Sequence, residues 1–123
     1  MQLLAIAVGG ALGALLRFGV SEGVHSAFGR SFPYGTLTVN VIGSLLIGLL
    51  YVMFNERFEL TGPWRALMLV GVLGAFTTFS TFSMETLELI EKGDFAASIL
   101  NVVLNISLSV FAAWIGVIVG RSI

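Results

Sequence analysis

The chain has 123 residues, 57% of them hydrophobic and only 11% charged. With a mean hydropathy of +1.01 it is too apolar for a water-soluble domain of this size and reads as an integral membrane protein. Its net charge of −1 is spread thinly, with no basic patch or acidic tail, so nothing points to nucleic acid. With no cysteine and a single histidine, thiol redox chemistry, disulfides and thiolate metal sites are excluded.

A bilayer core of about 30 Å needs roughly 20 apolar helical residues, so residues 1–123 form one transmembrane domain of four spans. The first is expected from about Gln2 to Val24. Its opening, "MQLLAIAVGGALGALLR", lacks the basic start of a secretory signal and leads into more membrane-like sequence, so it reads as a retained span. Gly9 and Gly13 carry the small-residue spacing that lets membrane helices touch. Arg17 either snorkels from the span and raises the potential for an anion in a vestibule, or pairs with Glu22 or a loop carbonyl. His25 is expected at headgroup level in the first loop.

The second span, from about Pro33 to Phe54, follows "GRSFPYG" and contains "GTLTVNVIGS". Asn40 lies about two turns in, where an amide is costly unless a partner or water meets it. Its amino group is a donor suited to an anion; a plain helix–helix hydrogen bond is the alternative. Ser44 and Gly48 form a second small-residue pair.

The third span, from about Trp64 to Ile90, follows "NERFELTGPWR" and holds the least membrane-like stretch of the chain. Between Ala66 and Met84 there is no charge, yet "TTFSTFS", residues 77 to 83, packs five hydroxyls and two phenylalanines together. Hydrocarbon offers a hydroxyl no partner, so a lipid-facing helix would not gather them. Gly71 and Gly74 weaken the helix just before, and a break is expected between about Gly74 and Thr78. Carbonyls exposed at such a break can coordinate a small cation, and the start of the following half-helix favours an anion. An unbroken helix whose hydroxyls bond back one turn is the alternative. Phe79 and Phe82 are three apart and share a helix face, which Phe76 would extend. Their ring edges make a weakly electropositive column along which an anion can pass, although phenylalanine at this spacing also packs helices. Glu85, one turn beyond Phe82, is an interfacial carboxylate or a group at a pore mouth.

After "EKGD" the fourth span runs from about Phe95 to Gly120. Asn101, Asn105 and Ser109, four apart, stack along one stripe that can face the hydroxyls of the third span. Gly116 and Gly120 are a third small-residue pair.

Four spans put Arg57, Arg65 and Arg121 on one side, with Arg30 and Lys92 on the other and Arg17 leaning that way. Such a chain has no orientation bias, and an antiparallel two-fold homodimer is its natural closed assembly. A four-span monomer is also too thin to enclose a polar path by itself.

"GGALGALLR", "GTLTVNVIGS" and "GAFTTFSTFSMET" in a four-span chain of this length resemble the Fluc/CrcB family of fluoride channels. The resemblance implies an all-α membrane protein with a broken third helix, assembled as an antiparallel, dual-topology homodimer. It would carry two pores and pass fluoride passively out of the microbial cytoplasm across the inner membrane. By the same resemblance Phe79 and Phe82 line the pores, Asn40 binds the ion, and Ser80, Thr81, Ser83 and Glu85 form a polar track. Asn105 and Ser109 continue that track on the fourth span, where the family generally shows hydroxyls, and Arg17 matches the family's span-one arginine. The backbone carbonyls of Gly74 and Thr77, two from each subunit, would hold a structural sodium ion. The partners implied are fluoride, lipid and a second copy of the chain, with no nucleic acid. Two other readings are a coupled transporter of the small multidrug resistance kind and a non-transporting scaffold. The first needs a carboxylate deep in span one, and residues 1–16 contain no Asp or Glu. An enzyme is not expected, since no nucleophile–base pair, metal cluster or phosphate loop is present.

Overall fold

The computed structural model describes residues 1–57 and 62–123, so the middle of the loop between the second and third spans lies outside the described residues. Helix α1 is Gln2–Phe28 and α2 is Tyr34–Val52, continued by a wider π-helical turn at Met53–Arg57. Helix α3, residues 63–76, is π-helical over Ala66–Leu73; α4 is Phe79–Glu91 and α5 is Phe95–Ser122. Four stretches, Gln2–Phe28, Tyr34–Arg57, Pro63–Glu91 and Phe95–Ser122, are long and apolar enough to cross a membrane. The chain is therefore an all-α, multi-pass membrane protein.

Helix ends are set by local chemistry. Gly29 follows α1 with φ 86°, and Gly62 and Gly93 also adopt positive φ, where a side chain would be strained. Pro63 opens α3, where its missing N–H costs nothing. The Asp94 carboxylate accepts the Ala97 N–H at 3.2 Å and caps α5. His25 is not in the first loop: α1 runs about a turn past Val24, and His25 Nε2 accepts the otherwise unpaired Gly35 N–H of α2 at 3.2 Å. Exposed ion pairs, Glu22 with Arg30 at 2.8 Å and Glu56 with Arg121 at 3.0 Å, mark the two ends of the bundle.

Glycines decide which helices meet. A Cβ on Gly9 or Gly13 would strike the carbonyl oxygens of Leu67 or Val72, so α1 lies directly on α3. A Cβ on Gly48 would strike Ala113 O, and one on Gly116 would strike Leu45 O, so α2 and α5 also touch backbone to backbone. Val39 and Val52 are completely buried between these layers. The outer faces stay apolar: only 11% of the most apolar window of α1 is buried, with Leu3, Leu4 and Leu15 exposed where lipid would lie.

Candidate functional site

Between α3 and α4 the chain runs through two extended residues, Thr77 at φ −87°, ψ 157° and Thr78 at φ −150°, ψ 122°. Side chains from two elements hold it there. The Thr78 N–H, which in a continuous helix would bond Gly74 O, instead donates to Asn40 Oδ1 at 2.9 Å. Thr81 N–H, which would bond Thr77 O, donates to Thr78 Oγ1 at 3.2 Å and makes Thr78 the N-cap of α4. The carbonyls of Gly74 and Thr77 are thus released from helix bonding, whereas Ala75 O accepts the Arg17 Nε–H at 3.0 Å. Arg17 therefore pairs with neither Glu22 nor a loop; its partner is the carbonyl of Ala75 beside this turn, 58 residues away. Thr78→Val is expected to cost about 1–2 kcal/mol through the lost cap, with Thr78→Ser near parent. Unfolding midpoints in detergent measure it, and equal midpoints for the parent and Thr78→Val would remove the capping role.

A cavity of about 360 Å³ opens beside these residues. Asn40, Thr78, Phe79, Phe82, Asn105 and Ser109 line it, together with Gly74 and Thr77. The Phe79 and Phe82 rings lie 5.5 Å apart at 54°, Phe82 only 8% exposed and Phe79 77% exposed. Asn40 donates Nδ2 to Thr78 O at 3.1 Å and to Asn105 Oδ1 at 3.0 Å. Ser109 Oγ is buried with no hydrogen-bond partner among the described residues, a group suited to water or an ion.

A second cavity of about 280 Å³ is lined by Arg17, Ser21, Thr36, Thr81 and Glu85, and Thr78 borders it as well. Glu85 Oε1 is buried there and likewise unpartnered among the described residues. Thr78 thus stands between an apolar-walled cavity with amides and a second one carrying charge.

Of the residues singled out in the sequence, Asn40, Phe79, Phe82, Asn105, Ser109, Gly74 and Thr77 meet at the first cavity. Arg17, Thr81 and Glu85 meet at the second. Ser80 and Ser83 border neither cavity: both are exposed on α4, and Ser83 donates its hydroxyl to Phe79 O at 3.0 Å, the back-bonding common in membrane helices. Sequence reasoning passed over Thr78, whose signal was a β-branched hydroxyl residue three before Thr81 at a helix start.

Residues 4–117 match the family described as CrcB-like protein, Camphor Resistance (CrcB). The chain belongs to the CrcB family. The matched range holds every residue of both cavities. It is 47% identical to the fluoride-specific ion channel FluC of Magnetococcus marinus, over all of both chains. It is 54% identical to the FluC of Vibrio parahaemolyticus over 90% of this chain and 87% of that one. With the FluC of Methylococcus capsulatus it shares 52% identity over 98% of its own length, but spans only 53% of that protein. These CrcB relatives are named as ion channels, not enzymes, in keeping with the absence of catalytic motifs in the sequence.

Proposed function

We propose that the chain is a fluoride-selective passive channel, working as an antiparallel homodimer with two pores in the inner membrane of a microbial cell. The observation that carries this reading is the Asn40 amide and the Phe79–Phe82 ring pair on one cavity, beside a backbone drawn out of its helix. Fluoride is small and strongly hydrated, so its dehydration has to be offset by fixed donors. Ser109 Oγ, which has no partner among the described residues, the positive edges of the two rings and the Asn40 amino group, once it gives up Thr78 O or Asn105 Oδ1, are such donors on one cavity. The N-terminus of α4 adds partial positive charge at the same point. Arg17 and the Thr81 hydroxyl on the second cavity would draw the anion toward it, with Glu85 as a polar group at the mouth.

A second copy answers two features of the single chain. Phe79, 77% exposed, and the exposed Gly74 lie on a face that one chain leaves open. The carbonyls of Gly74 and Thr77 need partners at membrane depth. Oxygens of this kind, two per chain, fit a small hard cation, and a structural sodium held by both copies would use all of them. Such an ion supplies fixed positive charge that favours an anion in the adjoining pores.

The test is fluoride efflux from liposomes holding the purified protein, read with a fluoride electrode and repeated with chloride. Fluoride release with chloride retained is expected, and release no faster than from protein-free liposomes would remove the reading. Phe79→Ile with Phe82→Ile, which keeps bulk and loses the ring edges, is expected to slow fluoride efflux at least about tenfold. An unchanged rate in that double variant would make the rings mere packing.

A further inference from the structure

Behind the cavity, four side chains form a hydrogen-bonded line whose direction is set from one end. Thr86 donates its hydroxyl proton to Phe82 O at 2.8 Å, so its oxygen has only lone pairs left to offer α5. The amino end of Asn101 is the end that can meet them, and Asn101 Nδ2 donates to Thr86 Oγ1 at 2.9 Å. Asn101 Oδ1 is thereby turned toward Asn105, whose Nδ2 donates to it at 2.9 Å and to Asn101 O at 2.9 Å. Asn105 is left with its Oδ1 for Asn40, and accepts from Asn40 Nδ2 at 3.0 Å. Asn40 then ends the line on backbone, with Nδ2 on Thr78 O and Oδ1 receiving Thr78 N–H.

A side-chain amide has two nearly isosteric orientations; here Thr86 selects that of Asn101, and Asn101 Oδ1 and its backbone carbonyl together select that of Asn105. The first group is a backbone carbonyl, which can only accept. Water cannot take over any step in the middle, because Asn101 is 0% exposed and Asn105 5% exposed.

We propose that Asn101 and Thr86 are positioning residues that fix the orientation of the Asn40 amide, and through it the extended backbone at Thr78. This rests on the fluoride-channel reading and adds to it two residues that line neither cavity. Without the Asn101 side chain, Asn105 Nδ2 keeps only one of its two acceptors, Asn101 O, and its amide is held less firmly with Oδ1 toward Asn40. Where Asn105 turns, Asn40 must present Oδ1 to it, and Thr78 N–H loses its acceptor. The line also ties two further helices, α2 and α5, to the two ends of the segment from Thr78 to Phe82, the segment that carries the rings.

Single-channel fluoride currents in planar bilayers test this, because fewer folded channels would change the number of current steps and leave their size alone. Thr86→Val, close in shape, is expected to reduce the unitary current about tenfold, the scale of one misdirected buried hydrogen bond. Thr86→Ser, which restores the hydroxyl, should stay within about twofold of the parent. Asn101→Leu should match Thr86→Val, and the double variant should be no lower than the worse single one. Thr86→Val carries the test alone where Asn101→Leu does not assemble. A parent-sized unitary current in Thr86→Val, or equal losses in Thr86→Val and Thr86→Ser, overturns the relay while the channel reading stands. A parent that passes no fluoride removes both.

Discussion

Asn40→Asp is expected to end fluoride conduction. In the parent, Asn40 Nδ2 faces two acceptors, Thr78 O at 3.1 Å and Asn105 Oδ1 at 3.0 Å. Aspartate puts a carboxylate oxygen in that place, so two attractive contacts become two repulsions between lone pairs. A charge set among misdirected dipoles at this half-buried position costs on the order of 3 kcal/mol. Protonation would relieve the charge but supplies one donor for two acceptors. The same substitution adds a like charge on the wall of an anion path, even though its other oxygen still accepts the Thr78 N–H. Efflux from liposomes should fall at least about a hundredfold, a barrier increase of roughly 3 kcal/mol. Protein that elutes as the parent does in detergent and still releases fluoride at the parent rate would sink the role given to this amide. Asn40→Ser, which keeps a donor but reaches less far, should lie between the two.

Gly48→Ala is expected to be among the most destabilising single-methyl changes in the chain. The added carbon would occupy the position of Ala113 O, and the partner helix answers in kind, since a methyl on Gly116 would occupy Leu45 O. Carbonyl oxygens belong to the backbone and cannot rotate away, so α2 and α5 would have to move apart along their shared face. Overpacking of this kind costs about 1–3 kcal/mol, and backbone against backbone falls at the upper end. The separation would also pull Asn40 away from Asn105, linking a packing defect to the site. Gly19→Ala is the control: nothing lies within 4 Å of its added carbon, and alanine favours a helix over glycine by up to about 1 kcal/mol. Thermal midpoints in detergent should fall for Gly48→Ala and Gly116→Ala and hold or rise for Gly19→Ala. The double variant should lose less than the sum, because moving the helices apart once relieves both clashes. Equal midpoints for Gly48→Ala and Gly19→Ala would mean that the two helices do not touch there.

The number of spans and their order along the chain were legible in the sequence. The apolar transfer energy of a helix adds residue by residue along the chain, so no knowledge of neighbours is needed. The small-residue pairs were legible for the same reason, and Gly9, Gly13, Gly48 and Gly116 all proved to be points of backbone contact. The hydroxyl cluster of residues 77–83 announced that something polar lay beside the third span. Its chemistry did not reveal which hydroxyls were used. Thr78 and Thr81 serve the turn, Ser83 bonds back to its own helix, and Ser80 is exposed. Those fates depend on the direction each side chain takes once the backbone leaves the helix at Thr77.

The asparagines show the limit most clearly. Spacing put Asn101 and Asn105 on one stripe, and composition marked Asn40 as costly, but nothing local says which end of an amide is amino and which is carbonyl. That was decided by partners from other helices: Thr78 for Asn40, 38 residues away, and Asn40 for Asn105, 65 residues away. Arg17 is the same case, since the sequence left it between Glu22, a loop carbonyl and open space, and folding gave it Ala75 O. By itself, then, the sequence determined that this protein crosses a membrane four times, where its helices come close, and which stretch is too polar for lipid. Only the tertiary structure decided how the amides point, which carbonyls are released and where the cavities open. The physical reason is that burial energy is a sum over single residues, whereas a buried hydrogen bond exists only when a donor and an acceptor from distant segments arrive together in the right orientation.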